Sequence, residues 1–214
     1  QYGKVQNNTL ATEYKSNIKG LFALGNSETI QAASKELQLG LSGLLGNPVA
    51  IQQNIDAENV LVFGSKSSLN GDILKNVNND FEKINDEGYI IKTISLNNKK
   101  HILITGKTDI GVLYGVFNFL TLLQTNTSIG NVNIVEDKKI NVRMLNHWDN
   151  LNGMVERGYA GFSLWNWQKL PDFIDQRYID YARANASIGI NGTVLNNVNA
   201  NALILTPQYL VKVE

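Results

Sequence analysis

The stretch Val142-Arg143-Met144-Leu145-Asn146-His147-Trp148-Asp149-Asn150 decides the fold when it is set beside Gly192-Thr193-Val194-Leu195-Asn196-Asn197-Val198-Asn199-Ala200. Each is a short apolar run that ends in side chains able to hydrogen-bond. Between them, Tyr178 to Ile188 reads as one helix closed by Gly189. The order is strand, helix, strand, with the polar groups where each strand stops. In a parallel α/β arrangement the carboxyl ends of the strands form the ligand-binding face. Asparagines, a Trp and an Asp gathered there suit a hydroxyl-rich ligand such as a sugar.

Working outward, a long excursion from Asp149 to Pro171 separates the first strand (Val142 to Leu145) from the helix. After the second strand, Thr206 as N-cap and Pro207 at the first helical position predict another helix. Two parallel strands and one crossover helix cannot close a barrel or bury both faces of a sheet. The segment is therefore expected to begin a larger structure. Its exposed strand edges invite association, so a covering chain is expected (a homodimer is one arrangement), or a packing rearranged from that of a full barrel. The charged run Glu136-Asp137-Lys138-Lys139 reads as a connector. It divides an amino-terminal α/β domain, 1–136, from the second part, 137–214.

The first part alternates strands and helices. Ile18 to Leu24 is a predicted strand, and Ser27 caps a helix from Glu28 to Leu45. In that helix Ile30, Ala33, Leu37, Leu41 and Leu44 fall at helical spacing, and Gly46-Asn47-Pro48 ends it. Val60 to Phe63 is a buried strand closed by Gly64. Tyr89 to Leu96 and His101 to Thr105 form a hairpin around Asn97-Asn98-Lys99-Lys100. Asp109 to Gln124 is apolar nearly all round, so it is expected to be buried on every side, between the sheet and whatever follows. Gly111 and Gly115 within it read as close-packing positions; no Lys-Ser/Thr pair accompanies them to make a phosphate loop. Val132 to Val135 is one more strand.

Composition narrows the function. The 214 residues are 43% hydrophobic, enough for a real core, with no run long enough to span a bilayer. Lys plus Arg and Asp plus Glu are both 19, so no general field favours nucleic acid or anionic lipid. The absence of cysteine excludes disulfides, a thiol nucleophile and thiolate metal sites. No cofactor is expected. The start, Gln1-Tyr2-Gly3, has neither initiator Met nor signal sequence and reads as a mature terminus, compatible with a secreted or periplasmic protein. The sequons at Asn126 and Asn191 are no more than an Asn-rich chain makes by chance.

The runs Leu145-Asn146-His147-Trp148-Asp149-Asn150-Leu151, Glu156-Arg157-Gly158-Tyr159-Ala160-Gly161, Tyr181-Ala182-Arg183, Ala186-Ser187-Ile188-Gly189-Ile190-Asn191-Gly192 and Leu195-Asn196-Asn197-Val198-Asn199-Ala200 together resemble the α-glucuronidases of glycoside hydrolase family 67. Asp109-Ile110-Gly111-Val112-Leu113-Tyr114-Gly115 is similar to the domain that precedes the barrel there. It is similar, more loosely, to the β-hexosaminidase-like accessory domain. The resemblance is dense from about Asp109 to Tyr209 and thin before. It implies a mixed α/β amino-terminal domain, a (β/α)8 barrel and a helical carboxyl-terminal domain. It also implies removal, with inversion, of glucuronic or 4-O-methyl-glucuronic acid α-1,2-linked to the terminal xylose of xylo-oligosaccharides. The family's acid and base lie on later barrel strands, so this chain is expected to hold the first domain and about two barrel strands, and to be inactive alone. The partner implied is an aldouronic acid from glucuronoxylan. A non-catalytic carbohydrate-binding module and a scaffold domain are the alternatives.

Among single residues, Trp148 is the strongest candidate for substrate contact. An indole at a strand end can lie on the C–H face of a pyranose, and the resemblance implies a Trp there lining the uronic-acid pocket. His147 is as readily an imidazole satisfied by its neighbours as a substrate contact, and no set of metal ligands accompanies it. Asp149 is a substrate-binding candidate whose structural reading, a carboxylate bonding nearby backbone amides, is the stronger. Glu156-Arg157 reads as an ion pair at the surface or behind the site, with direct contact to substrate as the lesser alternative. Inverting hydrolysis needs two carboxyl groups about 6.5–9.5 Å apart, and neither Asp149 nor Glu156 has an assignable partner. Strand alternation sends Asn197 and Asn199 one way and Asn196 the other; Asn197 is the one chosen for sugar. Trp165 and Trp167 serve equally as a sugar platform or as loop packing. His101 is an ordinary surface or sheet residue of the hairpin.

Overall fold

In a computed structural model, which describes residues 2–213, the chain divides into two compact units, Gln1–Lys139 and Ile140–Glu214. The first is built on a mixed sheet of β1 (Gly20–Leu24), β2 (Val60–Ser65), β3 (Tyr89–Leu96), β4 (Lys99–Gly106) and β5 (Asn133–Glu136). Its order is β1-β2-β4-β3-β5. β1, β2 and β4 run parallel, while β3 is antiparallel to both β4 and β5. Every residue of β2 is buried, as a central parallel strand covered on both faces requires.

One face carries α2 (Glu28–Leu45) and α4 (Asp109–Gln124), which pack on each other, α4 lying over β2, β3 and β4. Ser27 Oγ caps α2 by accepting from Ile30 N at 3.2 Å, and Gly46 ends it in the left-handed region at φ 74°. α4 is buried nearly all round, as its composition predicts. The layer on its far side is α2, an element of the same unit. Its glycines are close-packing positions: a Cβ on Gly111 would stand 2.4 Å from Gly88 O, and one on Gly115 2.8 Å from Ile104 Cγ2.

The opposite face is covered by α3 (Gly71–Lys75) and a 3-10 turn at Asn78–Lys83. They place Ile73, Val77, Phe81 and Ile84 against Val60, Val62, Ile90 and Leu103. The apolar spacing of those four residues is helical, but the intervening asparagines hide it. α1 (Asn8–Asn17) has no apolar stripe to announce it; it is capped by Asn7 and anchored by buried Tyr14, whose hydroxyl donates to Thr127 O at 2.8 Å. The hairpin loop is two residues shorter than expected. Asn97 and Asn98 alone make the turn, at φ 49° and 61°, the conformation whose twist suits a two-residue loop.

In the second unit β6 (Met144–Asn146) and β7 (Gly192–Val194) pair in parallel, Leu145 opposite Thr193, with α5 (Gln176–Ser187) as the crossover. α5 begins two residues before Tyr178, because Asp175 Oδ1 accepts from Arg177 N at 3.0 Å and sets the cap there. α6 (Pro207–Leu210) starts as expected but runs four residues, and the Thr206 hydroxyl donates to Leu203 O at 2.7 Å instead of capping it. No residue of α5 is buried, and Val142, Met144, Phe162, Val198 and Leu205 are exposed.

Candidate functional site

The carboxyl ends of β6 and β7 meet, because the ladder continues past both strands: His147 N donates to Val194 O at 2.9 Å and Asn197 N to Asp149 O at 2.7 Å. A cleft of about 620 Å³ opens at this rim, lined in part by Asn146, His147, Trp148, Asp149, Glu156 and Arg177. Three of the four substrate-binding candidates from the sequence line it. Trp148, in the wall of the cleft, is 51% exposed.

His147 and Asp149 are fixed by neighbours. Asp149 is buried, and its Oδ2 accepts from Ser163 Oγ at 2.5 Å and from Leu164 N at 3.1 Å. Its Oδ1 lies 3.4 Å from His147 Nδ1, and His147 Nε2 is 2.5 Å from Tyr181 Oη. The imidazole thus has a partner on each nitrogen, and packs against the rings of Trp165 and Tyr181 at 5.5 and 5.4 Å. Trp165 also meets Tyr178 at 5.2 Å, and Trp167 is 2% exposed beside Tyr209. Both indoles pack the 149–171 excursion; neither lines the cleft.

Asn197 does not follow the alternation argument, because β7 ends at Val194 and residues beyond it form a turn. Its side chain is buried rather than opened to the cleft. Oδ1 accepts from Asn199 N at 2.9 Å, and Nδ2 donates to Glu156 Oε2 at 3.1 Å. The Glu156-Arg157 pair is loose, with Nε 3.9 Å from Oε1 and Arg157 83% exposed. The firm partner of Glu156 is therefore Asn197, distant in sequence, and no local pattern signals it. His101 is a buried sheet residue of the first unit, away from any surface.

Among the described residues no group of three or more His, Asp or Glu could hold a metal ion, and no helix is long and apolar enough to cross a membrane. The rim can do one thing clearly. It offers an aromatic face, fixed hydrogen-bonding groups and one cation, Arg177, around an open space, a combination suited to a polar ring with apolar faces.

The family model described as the glycosyl hydrolase family 67 N-terminus matches residues 1–119, and that described as the family 67 middle domain matches 122–214. A probable alpha-glucuronidase A of Aspergillus terreus is 33% identical over 183 residues, covering 84% of this chain and 21% of that protein. Alpha-glucuronidase A of Emericella nidulans is 30% identical over 213 residues, covering 92% and 24%. The chain thus spans between a fifth and a quarter of these relatives. Among solved structures, a family GH115 4-O-methyl-alpha-glucuronidase with specificity for decorated arabinogalactans superposes with a TM-score of 0.56 at 12% identity. It covers 81% of this chain and 25% of that one. At that identity the likeness concerns the fold alone.

Proposed function

The chain belongs to glycosyl hydrolase family 67, and from that premise we propose that it is the amino-terminal region of an exo-acting xylan α-glucuronidase. In this reading the first unit is an accessory domain of the β-hexosaminidase-like kind. The second unit opens a (β/α)8 barrel. The observation that carries the proposal is the parallel pairing of β6 with β7 across α5, with the cleft of Trp148 at their carboxyl ends. Ligands of such barrels sit on that face. The exposed apolar residues around β6 and β7 support it, since a barrel would cover them. In the isolated chain a second copy would do so.

The substrate is a short xylo-oligosaccharide bearing α-1,2-linked glucuronic or 4-O-methyl-glucuronic acid at its non-reducing end, and hydrolysis proceeds with inversion. Trp148 provides the stacking wall; His147 and Asp149 hold the rim in shape around it. Asp149 has both oxygens engaged within the loop, and Glu156 is braced by Asn197. In this reading the acid and the base lie on later strands, as the family resemblance implies, at the separation of about 6.5–9.5 Å that admits a water. The protein acts outside the cytoplasm, where xylan fragments arise.

The test compares the 214-residue chain with the full-length protein on aldouronic acids. Release of glucuronic acid by the full-length protein only is expected. Trp148→Ala in the full-length protein should raise KM about tenfold or more, from the lost burial of a sugar face. Turnover by the short chain would place the catalytic carboxylates within it and overturn the reading.

A further inference from the structure

We propose that Glu156 is a sugar-binding carboxylate, held for that role by Asn197, and that it accepts a hydrogen bond from a ring hydroxyl of the sugar stacked on Trp148. The proposal rests on the uronoside-binding reading of the rim. Its first support is the backbone. Glu156 stands in the left-handed region at φ 52°, where an L side chain is strained. The same loop turns through that region at Gly153, Gly158 and Gly161, at φ 86°, 96° and 95°. Three of its four left-handed positions carry the residue that adopts this conformation without cost. The fourth carries a carboxylate.

The second support is how firmly that carboxylate is placed. Glu156 N donates to Trp148 O at 2.7 Å, and Asn150 Nδ2 donates to Glu156 O at 2.6 Å. Asn197 Nδ2 holds Oε2 at 3.1 Å. These bonds tie Glu156 to the ends of both strands and to the backbone of Trp148 itself. The third is unused capacity. The side chain is 13% exposed and lines the cleft as well as a neighbouring pocket that it shares with Arg157, and among the described residues Oε1 meets only Arg157 Nε at 3.9 Å, too far for a hydrogen bond. An ionised carboxylate is an acceptor only, so its free lone pairs call for a donor. A sugar hydroxyl is one. The uronate carboxylate would be repelled, so the hydroxyl edge of the ring faces Glu156 and the acid group lies away from it.

A purely structural brace would need the contact with Asn197 but not the charge. Glu156→Gln and Asn197→Ala in the full-length protein separate the two roles, with steady-state kinetics on glucuronosyl-xylotriose and its monodeoxy analogues. Glu156→Gln is expected to raise KM about tenfold with kcat changed less than about threefold, the pattern of a charge-assisted bond present in both ground and transition states. Asn197→Ala should raise KM by a smaller factor. For the analogue lacking the contacted hydroxyl, wild type and Glu156→Gln should have the same KM. A KM within about twofold of wild type, or a ratio identical for every analogue, overturns the proposal. Should Glu156→Gln fail to fold, the same comparison with Asn197→Ala decides it. Failure of the wild type to release glucuronic acid defeats the broader reading, whereas an active wild type with an indifferent Glu156→Gln defeats only this one.

Discussion

Replacing His101 with Leu should stabilise the first unit, and more so in mild acid. His101 sits on β4 opposite Ile94, is 1% exposed, and shares a sheet face with Leu103 two residues on. Neither ring nitrogen meets a hydrogen-bond partner of good geometry among the described residues. Burial holds the imidazole below its ordinary 6.5, and the charge of Lys99 acts the same way; the Val60 backbone and Glu58 oppose without offsetting them. The folded state therefore disfavours the proton that the unfolded chain accepts. Stability tied to His101 is intact above about pH 6.5 and falls as pH drops from there toward the lowered folded value, by at most about 1.4 kcal/mol per pH unit. An apolar residue of similar size removes that slope and also the cost of an unpaired buried polar group, about 1–3 kcal/mol. The variant should gain about 1–2 kcal/mol near pH 7.5 and more than that near pH 5.5, the excess bounded by about 1.4 kcal/mol for the one pH unit below 6.5. Urea unfolding followed by far-UV circular dichroism measures this. Tryptophan emission does not serve, because all three tryptophans lie beyond residue 140. The first unit's carboxylates with lowered values, Glu13 and Asp80, titrate below this window. Parallel pH profiles for wild type and variant, or a variant less stable at both pH values, would refute the argument.

Asp80→Asn should destabilise the first unit by about 1–2 kcal/mol at neutral pH. Asp80 is 11% exposed in its side chain, with Lys83 Nζ at 2.7 Å and Lys92 Nζ at 2.8 Å. Its hydrogen bonds from Lys83 and then Lys92 hold the folded pKa below 3.8, so this stability is present above that value and lost as pH falls through the folded one. An acid titration of unfolding should therefore be shallower in the variant. Asp149→Asn should loosen the 149–164 loop by about 1–3 kcal/mol, because the charge-assisted bonds from Ser163 Oγ and Leu164 N weaken together. Limited proteolysis reads this as faster cleavage between residues 156 and 164, and unchanged cleavage there would count against it.

Where the reading of elements succeeded, the signal was local. α2 carries its own cap, apolar stripe and terminating glycine, and α4 is so uniformly apolar that burial is unavoidable. β6 and β7 were legible because each apolar run is bounded by polar residues, and α5 because Gly189 closes it. α1 was not, because it is held by one tyrosine reaching Thr127 rather than by an apolar face. α3 and the turn after it fold where the sheet offers a surface for Ile73, Val77 and Phe81; alone, so short and Asn-rich a segment has no reason to be helical.

At the rim the division has one physical cause. That Trp148 stands at a strand end, on the carboxyl side of a parallel pair, follows from residue order, since the direction of a strand is written in the chain. So does the structural role of Asp149, a carboxylate among loop amides. The pairing of Glu156 with Asn197 does not follow. It joins residues 41 apart through a turn that strand alternation misreads, at a backbone angle that neighbouring residues do not specify. Local pattern determined the elements and the end of the sheet where the polar residues gather. Only the packed chain decided which carboxylate is held at that end, because the bonds that hold it exist once both strands have met.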